Sequence, residues 1–222
     1  EALMIKTRFQ RLHNKEIPIF VGKKKVQAAK ELLNTYPDTN ILISDDGLQH
    51  YELLRDFEIV VIDEVRNFGN NFLIPTGPLR ETKTRLNRVD AVIVNSSILK
   101  TFEYGYGMTY FGDTLVNCVQ SNHLSDLHVL EKEIIAITGI GNPERFFEQL
   151  TSSGLKFKKV IFNDHHLFSE FDFKDYDDMN IIMTEKDAVK CKSFAKENFW
   201  YLPIYADVEE GLFEKLIKKL RI

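Results

Sequence analysis

Two neighbouring carboxylates, Asp45 and Asp46, follow an apolar stretch at residues 40–44 and precede Gly47. Like charges this close repel each other unless a cation lies between them. In proteins that cation is often Mg²⁺, held together with phosphate groups. The pair therefore favours phosphoryl-transfer chemistry; the alternative is that one Asp caps the next helix while the other faces solvent.

A rigid turn, residues 75–78 with the sequence Pro-Thr-Gly-Pro, leads into Arg80 and Glu81. The proline rings restrict the backbone and the glycine permits a sharp bend, so we expect the two charged side chains to have a fixed pose. A guanidinium offers two parallel donors to phosphate oxygens, and a nearby carboxylate can complete the oxygen shell of Mg²⁺. Together with His50, they favour the catalytic reading of the acidic pair.

Asp164, His165 and His166 follow an apolar run at residues 158–162. A carboxylate beside a histidine at the end of a strand can orient a nucleophilic hydroxyl or take its proton. The alternative is a structural or exposed histidine pair. A zinc site is disfavoured, because four ligands at a recognisable spacing are not visible in the sequence.

Two further polar loops follow predicted strands. Residues 184–187 read Thr-Glu-Lys-Asp, in which Thr184 is expected to cap a helix and Lys186 is a candidate phosphate contact. Residues 139–143 read Gly-Ile-Gly-Asn-Pro and lack the third glycine of a dinucleotide fingerprint. They predict instead a turn from a strand into a helix, with Pro143 in the first helical turn.

Strands and helices alternate along the chain, which predicts an α/β fold with mostly parallel sheets covered by helices. Apolar runs predict strands at residues 17–21, 40–44, 58–63, 89–95, 133–138, 158–162, 181–183 and 201–205. The spacing of apolar residues predicts helices over residues 24–36 and 209–220. The polar loops then lie at the carboxyl ends of strands, where open α/β sheets bind ligands.

The pattern changes after residue 104 to short alternating stretches with Gly and Asn, which are typical of a hairpin or a connector. We therefore predict a core domain at residues 1–104, a hairpin-like connector at 105–130 and a smaller α/β domain at 131–222. A chain of 222 residues is long enough for two such units, each with its own core.

Composition excludes some function classes. A net charge of −4 argues against nucleic acid as a partner. No apolar run approaches the roughly 20 residues needed to span a bilayer. Cys118 and Cys191 are far apart, which predicts two core thiols in a reduced, cytosolic chain. Lysine runs at residues 23–25 and 218–219 predict solvated helix faces, with contact to anionic lipid as the alternative.

Several motifs together resemble those of the tetraacyldisaccharide 4′-kinases, the lipid A 4′-kinases of Gram-negative bacteria. The resemblance covers essentially the whole chain, and its longer motifs are specific. They lie at residues 45–51, 55–56, 68–70, 78–81, 139–143, 163–166 and 184–190.

The resemblance implies a P-loop-kinase-like core and a second domain, both of α/β/α type, with the active site in the cleft between them. It implies ATP and Mg²⁺ as cofactors and transfer of the γ-phosphate to the 4′-hydroxyl of a lipid A disaccharide 1-phosphate. It also implies peripheral contact with the membrane surface, at the cytoplasmic face of the bacterial inner membrane.

The same resemblance implies roles for individual residues. Asp45 and Asp46 would serve the magnesium and phosphate region, with Asp45 and Glu81 as metal ligands. Arg80 would contact phosphate, and Asp164 with His165 would handle the sugar hydroxyl. The remaining candidates are expected to contact the substrates: Gln49, His50, Asn70 and Lys186.

One family motif is missing from the chain. The 222 residues contain no G-x-x-x-x-G-K-[ST] phosphate loop, which in the family lies upstream of the matched segments. The family's Gly-Asp pair would stand before Glu1, and its Asp is the expected partner of His165. We therefore expect the chain alone to be inactive. Two alternatives remain: a degenerate binding or regulatory module of the same fold, and a magnesium-dependent phosphohydrolase that uses the acidic pair.

Overall fold

The computed structural model describes residues 1–100, 102–121, 123–126 and 133–221. The chain forms two compact units, each assembled from two separate segments. Unit 1 comprises Glu1–Ile19 and Gly112–Tyr205, and unit 2 comprises Phe20–Phe111 and Ala206–Ile222.

Helices and strands alternate along most of the chain. The helices are α1 Ala2–His13, α2 Lys25–Thr35, α3 Pro143–Ser152, α4 Glu185–Cys191 and α5 Gly211–Leu220. The strands are β1 Ile59–Asp63, β2 Ala91–Asn95, β3 Tyr106–Phe111, β4 Thr114–Asn117, β5 Leu124–Asp126, β6 Ile134–Thr138, β7 Lys158–Ile161, β8 Asn180–Thr184, β9 Phe199–Leu202 and β10 Tyr205–Val208. Short 3₁₀ turns occupy Lys83–Arg88 and Glu170–Phe173.

The sheet of unit 2 has the order β1-β2-β3-β10 among the described residues. β1 pairs with β2 in parallel, with Ile59 opposite Ala91, and β2 pairs with β3 in parallel. Every residue of β2 is buried, as expected of a central strand covered on both faces.

The sheet of unit 1 has the order β5-β4-β9-β8-β6-β7 within the described part of the chain. The four strands β9, β8, β6 and β7 are parallel, whereas β4 runs antiparallel to both β5 and β9. One apolar cluster lies around Phe173 and Ile181, and another lies around Phe147 and Ile182. Because neighbouring parallel strands end at one edge, the loops that follow β6, β7 and β8 lie together.

The structure confirms most of the predicted elements. The apolar runs at 58–63, 89–95, 133–138, 158–162 and 181–183 form β1, β2, β6, β7 and β8, and the helical patterns at 24–36 and 209–220 form α2 and α5. Pro143 is the first residue of α3, as predicted. The run predicted at 201–205 is divided between the end of β9 and the start of β10.

Two predicted strands, at residues 17–21 and 40–44, are wrong. Neither segment pairs with a strand among the described residues, and Ile43 is 93% exposed. An apolar run becomes a strand only where a neighbour accepts its backbone hydrogen bonds, and a sequence pattern does not contain that information. The acidic pair that follows residue 44 therefore does not cap a buried strand in this structure.

The two units divide the chain differently from the predicted domains. α1 belongs to unit 1, because Arg8 forms an ion pair with Glu185 at the start of α4. α5 belongs to unit 2, where Leu212 packs in the core and Lys219 binds Asp90.

The predicted connector also folds differently. β3 joins the sheet of unit 2 and β4 joins that of unit 1, so the two strands do not form a hairpin with each other. The predicted boundary at residues 130–131 lies outside the described residues.

Both cysteines are free thiols of unit 1. Their positions confirm the prediction that they are core residues. Cys191 is buried in the cluster around Phe173, and Cys118 packs against that cluster. Burial raises the pKa of the Cys191 thiol to about 12, and it also raises the pKa of Cys118.

Candidate functional site

The predicted site residues form two groups, one in each unit. In unit 2, the guanidinium Nη1 of Arg80 lies 3.4 Å from Oε1 of Gln49 and 3.6 Å from Oδ2 of Asp46. Gln49 in turn donates a hydrogen bond from Nε2 to Oε1 of Glu81 at 3.1 Å. The structure therefore brings Asp46, Gln49, Arg80 and Glu81 together, and we call these four residues the Arg80 cluster.

The turn after the acidic pair is tightly built. Asp46 has a φ of 45°, in the left-handed region that Asp tolerates better than most residues. A Cβ on Gly47 would lie 2.7 Å from Oγ of Ser44, so a side chain there would displace that of Ser44. The backbone N–H of His50 donates to the carbonyl of Gly47 at 3.0 Å and closes the turn. These constraints fix the backbone position from which the Gln49 side chain extends.

Asn70 stabilises the loop that carries Arg80. Its Nδ2 donates to the carbonyl of Thr76 at 2.9 Å, and its Oδ1 accepts from the N–H of Phe72 at 3.2 Å. A Cβ on Gly77 would lie only 2.2 Å from that Oδ1. Asn70, predicted as a substrate contact, thus makes these bonds within its own loop.

The acidic pair and Arg80 are exposed. An exposed ion pair such as that of Arg80 with Asp46 contributes little to stability, because water and salt screen it. A charged ligand can therefore displace Asp46 from Arg80, or Arg80 from Asp46. The backbone carbonyl of Asp45 accepts a hydrogen bond from Nζ of Lys25 at 2.8 Å, which ties this turn to α2.

The predicted metal ligands differ in their availability. Glu81 is engaged at both oxygens, by Gln49 at Oε1 and by Nε of Arg85 at 3.2 Å from Oε2. Its hydrogen bond with Tyr51 raises the pKa of that phenol. Mg²⁺ at phosphate sites takes one or two carboxylates plus phosphate oxygens and water. The exposed carboxylates of Asp45 and Asp46 fit that requirement better than Glu81 does.

A metal site made by protein alone is not present among residues 1–100, 102–121, 123–126 and 133–221. No group of three or more His, Cys, Asp or Glu side chains there could hold an ion.

Sequence analysis assigned no role to three residues beside the Arg80 cluster, Arg55, Glu58 and Arg85, although Arg55 lies in the motif at residues 55–56. Nη2 of Arg85 lies 2.7 Å and 2.8 Å from the two carboxylate oxygens of Glu58. The i, i+4 spacing of Glu81 and Arg85, and the i, i+3 spacing of Arg55 and Glu58, were signals that could have found them.

The second group lies in unit 1, in the loop after β7. His165 has a φ of 62°, and its backbone N–H donates to Oδ1 of Asp164 at 3.0 Å and to the carbonyl of Gly139 at 3.2 Å. Its Nε2 lies 3.7 Å from Oδ2 of Asp164, and the side chain is 75% exposed. The backbone of His165 is fixed while its imidazole remains open to a ligand.

The structure separates the roles of the two histidines. The ring of His166 stacks on Phe162 with centroids 4.5 Å apart, and its Nε2 lies 3.3 Å from Oδ2 of Asp172. Its side chain is only 29% exposed. His166 therefore anchors the loop, and His165 is the residue available for chemistry.

Lys186, at the start of α4, pairs with Glu1 through a contact of 3.1 Å between Nζ and Oε1. The hydrogen bond and the charge of Lys186 lower the pKa of Glu1, and the charge of His165 contributes in the same direction. The pair is partly exposed, so an anionic ligand can compete with Glu1 for the ammonium.

Asp187 lies in the motif at residues 184–190, from which no role was predicted for it. It is fully buried, and its Oδ2 accepts hydrogen bonds from Gly139 N–H at 3.1 Å and from the hydroxyls of Thr138 and Thr184. Its Oδ1 accepts from Nζ of Lys190 at 2.8 Å. Asp187 thus connects the turn after β6 to the start of α4.

Comparison with known proteins gives consistent matches. The family model for tetraacyldisaccharide-1-P 4′-kinase matches residues 1–221. The tetraacyldisaccharide 4′-kinase of Methylobacillus flagellatus is 45% identical over 92% of this chain and 61% of its own length. The enzyme of the same name from Francisella tularensis subsp. novicida is 43% identical over 87% of this chain and 63% of its own length.

A solved structure matches as well. It is described as the "apo" form of LpxK from Aquifex aeolicus in complex with ATP. The TM-score is 0.65 at 26% identity, over 87% of this chain and 62% of that one. The chain spans about three fifths of the length of the curated relatives that it matches.

The sheets and the polar loops at their strand ends define an α/β protein with mostly parallel sheets, shared with a kinase that has been crystallised with ATP. Because the family model matches residues 1–221, the chain belongs to the tetraacyldisaccharide-1-P 4′-kinase family.

Proposed function

We propose that this chain is part of an ATP-dependent kinase that phosphorylates the 4′-hydroxyl of a tetraacyldisaccharide 1-phosphate in lipid A biosynthesis. The observation that carries the proposal is the Arg80 cluster, in which an exposed guanidinium lies beside an exposed carboxylate within a family match to residues 1–221. The relatives' names supply the substrate class, a disaccharide with four acyl chains.

The residues of unit 2 suit the phosphate end of this reaction. Phosphoryl transfer depends mainly on positioning and on neutralising the charge of the moving group. Arg80 would release Asp46 and direct its guanidinium at phosphate oxygens, which it can contact through two parallel donors. Asp45 and Asp46 would hold Mg²⁺, which would neutralise phosphate charge when it is bound.

The residues of unit 1 suit the acceptor end. The exposed imidazole of His165 would accept the proton of the sugar hydroxyl, with Asp164 orienting the ring. The strained backbone of His165 supports this role, because left-handed conformations at non-glycine residues cluster at functional sites. Lys186 would contact an anionic group of a substrate in place of Glu1.

We also propose that the protein works at the cytoplasmic face of the inner membrane, because its acceptor carries acyl chains. The lysines at the end of α5, Lys218 and Lys219, would favour an anionic lipid surface. In the part of the chain that the structure describes, no helix combines the length and the apolar character needed to cross a bilayer. We propose that this contact is peripheral.

The proposal assigns turnover to the whole protein, and it takes the isolated 222 residues to be inactive because they contain no G-x-x-x-x-G-K-[ST] phosphate loop. The test is transfer of label from [γ-³²P]ATP to the lipid disaccharide 1-phosphate. Arg80→Ala in the whole protein should lower transfer by about a hundredfold. The exposed Arg66 offers a matched control, and Arg66→Ala should keep normal transfer.

The same assay separates the alternatives. Label released as inorganic phosphate without an acceptor would indicate a phosphohydrolase. Nucleotide binding by the whole protein with no transfer at all would indicate a binding or regulatory module. Transfer by the isolated chain would show that the essential groups have been misplaced.

A further inference from the structure

One carboxylate, that of Glu58, lies between two arginines at the start of β1. Nη2 of Arg85 is 2.7 Å and 2.8 Å from its two oxygens, and Nε of Arg55 is 3.0 Å from Oε1. The Glu58 side chain is 13% exposed, so the three charges interact away from most of the solvent. Its hydrogen bond to Arg85 raises the pKa of that guanidinium.

Arg55 reaches from Glu58 to the turn that carries the acidic pair. Its Nη1 donates to the carbonyl of Gly47 at 2.8 Å and to that of Leu48 at 3.0 Å. These carbonyls directly follow Asp46 in the chain. Arg55 therefore fixes the backbone of the first half of the candidate phosphate site.

Arg85 reaches from Glu58 to the second half. Its Nε lies 3.2 Å from Oε2 of Glu81, the neighbour of Arg80 in sequence. Glu81 in turn accepts the hydrogen bond from Gln49. Arg85 therefore fixes the loop that presents the exposed guanidinium.

Glu58 itself is held by the sheet. Its backbone N–H donates to Oδ2 of Asp90 at 2.8 Å. Its carbonyl accepts hydrogen bonds from the N–H groups of Asp90 and Ala91, each at 3.0 Å. The carboxylate thus projects from a backbone position fixed at the amino ends of β1 and β2.

We propose that Glu58 is a positioning residue that holds both halves of the candidate phosphate site in register, one through Arg55 and the other through Arg85. Without its charge, the guanidiniums of Arg55 and Arg85 would face each other with no carboxylate between them, and each would move away together with its loop. The inference rests on the proposed function only where it names phosphate as the ligand, and its test measures the order of the loops.

The test is amide hydrogen exchange on the whole protein. The N–H of His50, bonded to Gly47, reports on the first loop, and the N–H of Ile74, bonded to the carbonyl of Leu79 at 2.9 Å, reports on the second. In Glu58→Gln both should exchange about tenfold faster or more, while the amides of β2 keep their rates. Glu52→Ala, at an exposed glutamate nearby, is the control and should change neither.

The arginine variants divide the effect. Arg55→Ala should speed exchange at His50 only, and Arg85→Ala at Ile74 only. The side-chain amide resonance of Gln49 supplies a signature that a general loss of stability does not produce. It should shift in Glu58→Gln, although Gln49 lies beyond Glu81 and Arg85 in the network.

Unchanged exchange at both loops in Glu58→Gln, with an unmoved Gln49 resonance, would overturn the proposal. If Glu58→Gln also loosens β2, the arginine variants decide: loop-selective effects support the proposal, and equal loosening of both loops by either variant overturns it. A whole protein without kinase activity would refute the proposed function and leave this outcome unaffected.

Discussion

The buried carboxylate of Asp187 accepts a hydrogen bond from the N–H of Gly139 at 3.1 Å, and the carbonyl of the same glycine accepts one from the N–H of His165 at 3.2 Å. A carboxylate with no exposure to solvent is therefore two hydrogen bonds away from His165, whose side chain is 75% exposed. The position of His165 depends on a residue that no substrate can touch.

We predict that Asp187→Ala lowers the free energy of unfolding by about 3 kcal/mol, because it leaves Lys190 and several buried donors without their acceptor. Urea denaturation measures the loss. Lys192→Ala, at an exposed position just after α4, is the control and should change the free energy of unfolding by less than about 0.5 kcal/mol. Equal stability of the Asp187 variant and the wild type would show that the buried carboxylate is dispensable.

The two adjacent histidines should respond differently to substitution. His165→Asn keeps a residue type that tolerates the left-handed backbone, so stability should change by less than about 0.5 kcal/mol, while transfer by the whole protein should fall about a hundredfold or more. His166→Ala should lower the free energy of unfolding by about 1 to 2 kcal/mol, because the stacking on Phe162 and the bond to Asp172 are lost. A loss of stability at His165 together with a loss of transfer at His166 would mean that the two roles are reversed.

Acid should weaken the loop around His166 through Asp172. Burial opposes ionisation of this carboxyl, but hydrogen bonds from Ser169 and His166 outweigh it, and the pKa of Asp172 lies below its ordinary value. In the unfolded chain the carboxyl has a pKa of about 3.9. The stabilisation by its hydrogen bonds is therefore complete above that pH, and it is lost as the pH falls through the lower pKa of the folded state.

We therefore predict that Asp172→Asn is less stable than the wild type at neutral pH and that the difference shrinks below about pH 4. Urea denaturation over this pH range measures it. Asp175→Asn, at an exposed carboxylate nearby, should follow the wild type. A difference that stayed constant with pH would mean that the charge of Asp172 does not matter.

Neither thiol should react readily in the folded chain. With a pKa of about 12, Cys191 is ionised to roughly one part in ten thousand at about pH 8, and burial adds a steric barrier. Alkylation by iodoacetamide, followed by mass spectrometry, should label Cys118 and Cys191 only after the chain is unfolded in urea. Rapid labelling of Cys191 in the native chain would show that unit 1 opens locally.

The sequence predicted those elements whose apolar runs find partners in the chain. β1, β2, β6, β7 and β8 form where continuous β-branched runs predicted them, since neighbouring strands accept their backbone hydrogen bonds. Residues 40–44 have the same pattern but pair with no strand among the described residues. Periodicity identifies an apolar face, and it does not identify what covers that face.

α1 was missed for a related reason. It has no buried residue, and it docks through the ion pair of Arg8 with Glu185, 177 residues away in sequence. Glu58 and Asp187 escaped prediction in the same way, because each links residues that are distant in the chain. Buried charge networks depend on tertiary neighbours, whereas the candidate residues Asp46, Gln49, Arg80 and Glu81, which the structure brings together, lie in short sequence motifs.

The two units are interleaved along the chain, and this order constrains biosynthesis. The helix α1 of unit 1 is translated before the first segment of unit 2, yet most of the sheet of unit 1 follows only after residue 112. Unit 2 cannot gain α5, with its lysine contacts to Asp90, until residues 211–220 have been translated. Neither unit can therefore complete its fold during synthesis before most of the other has been made, and a single cut cannot release either one whole.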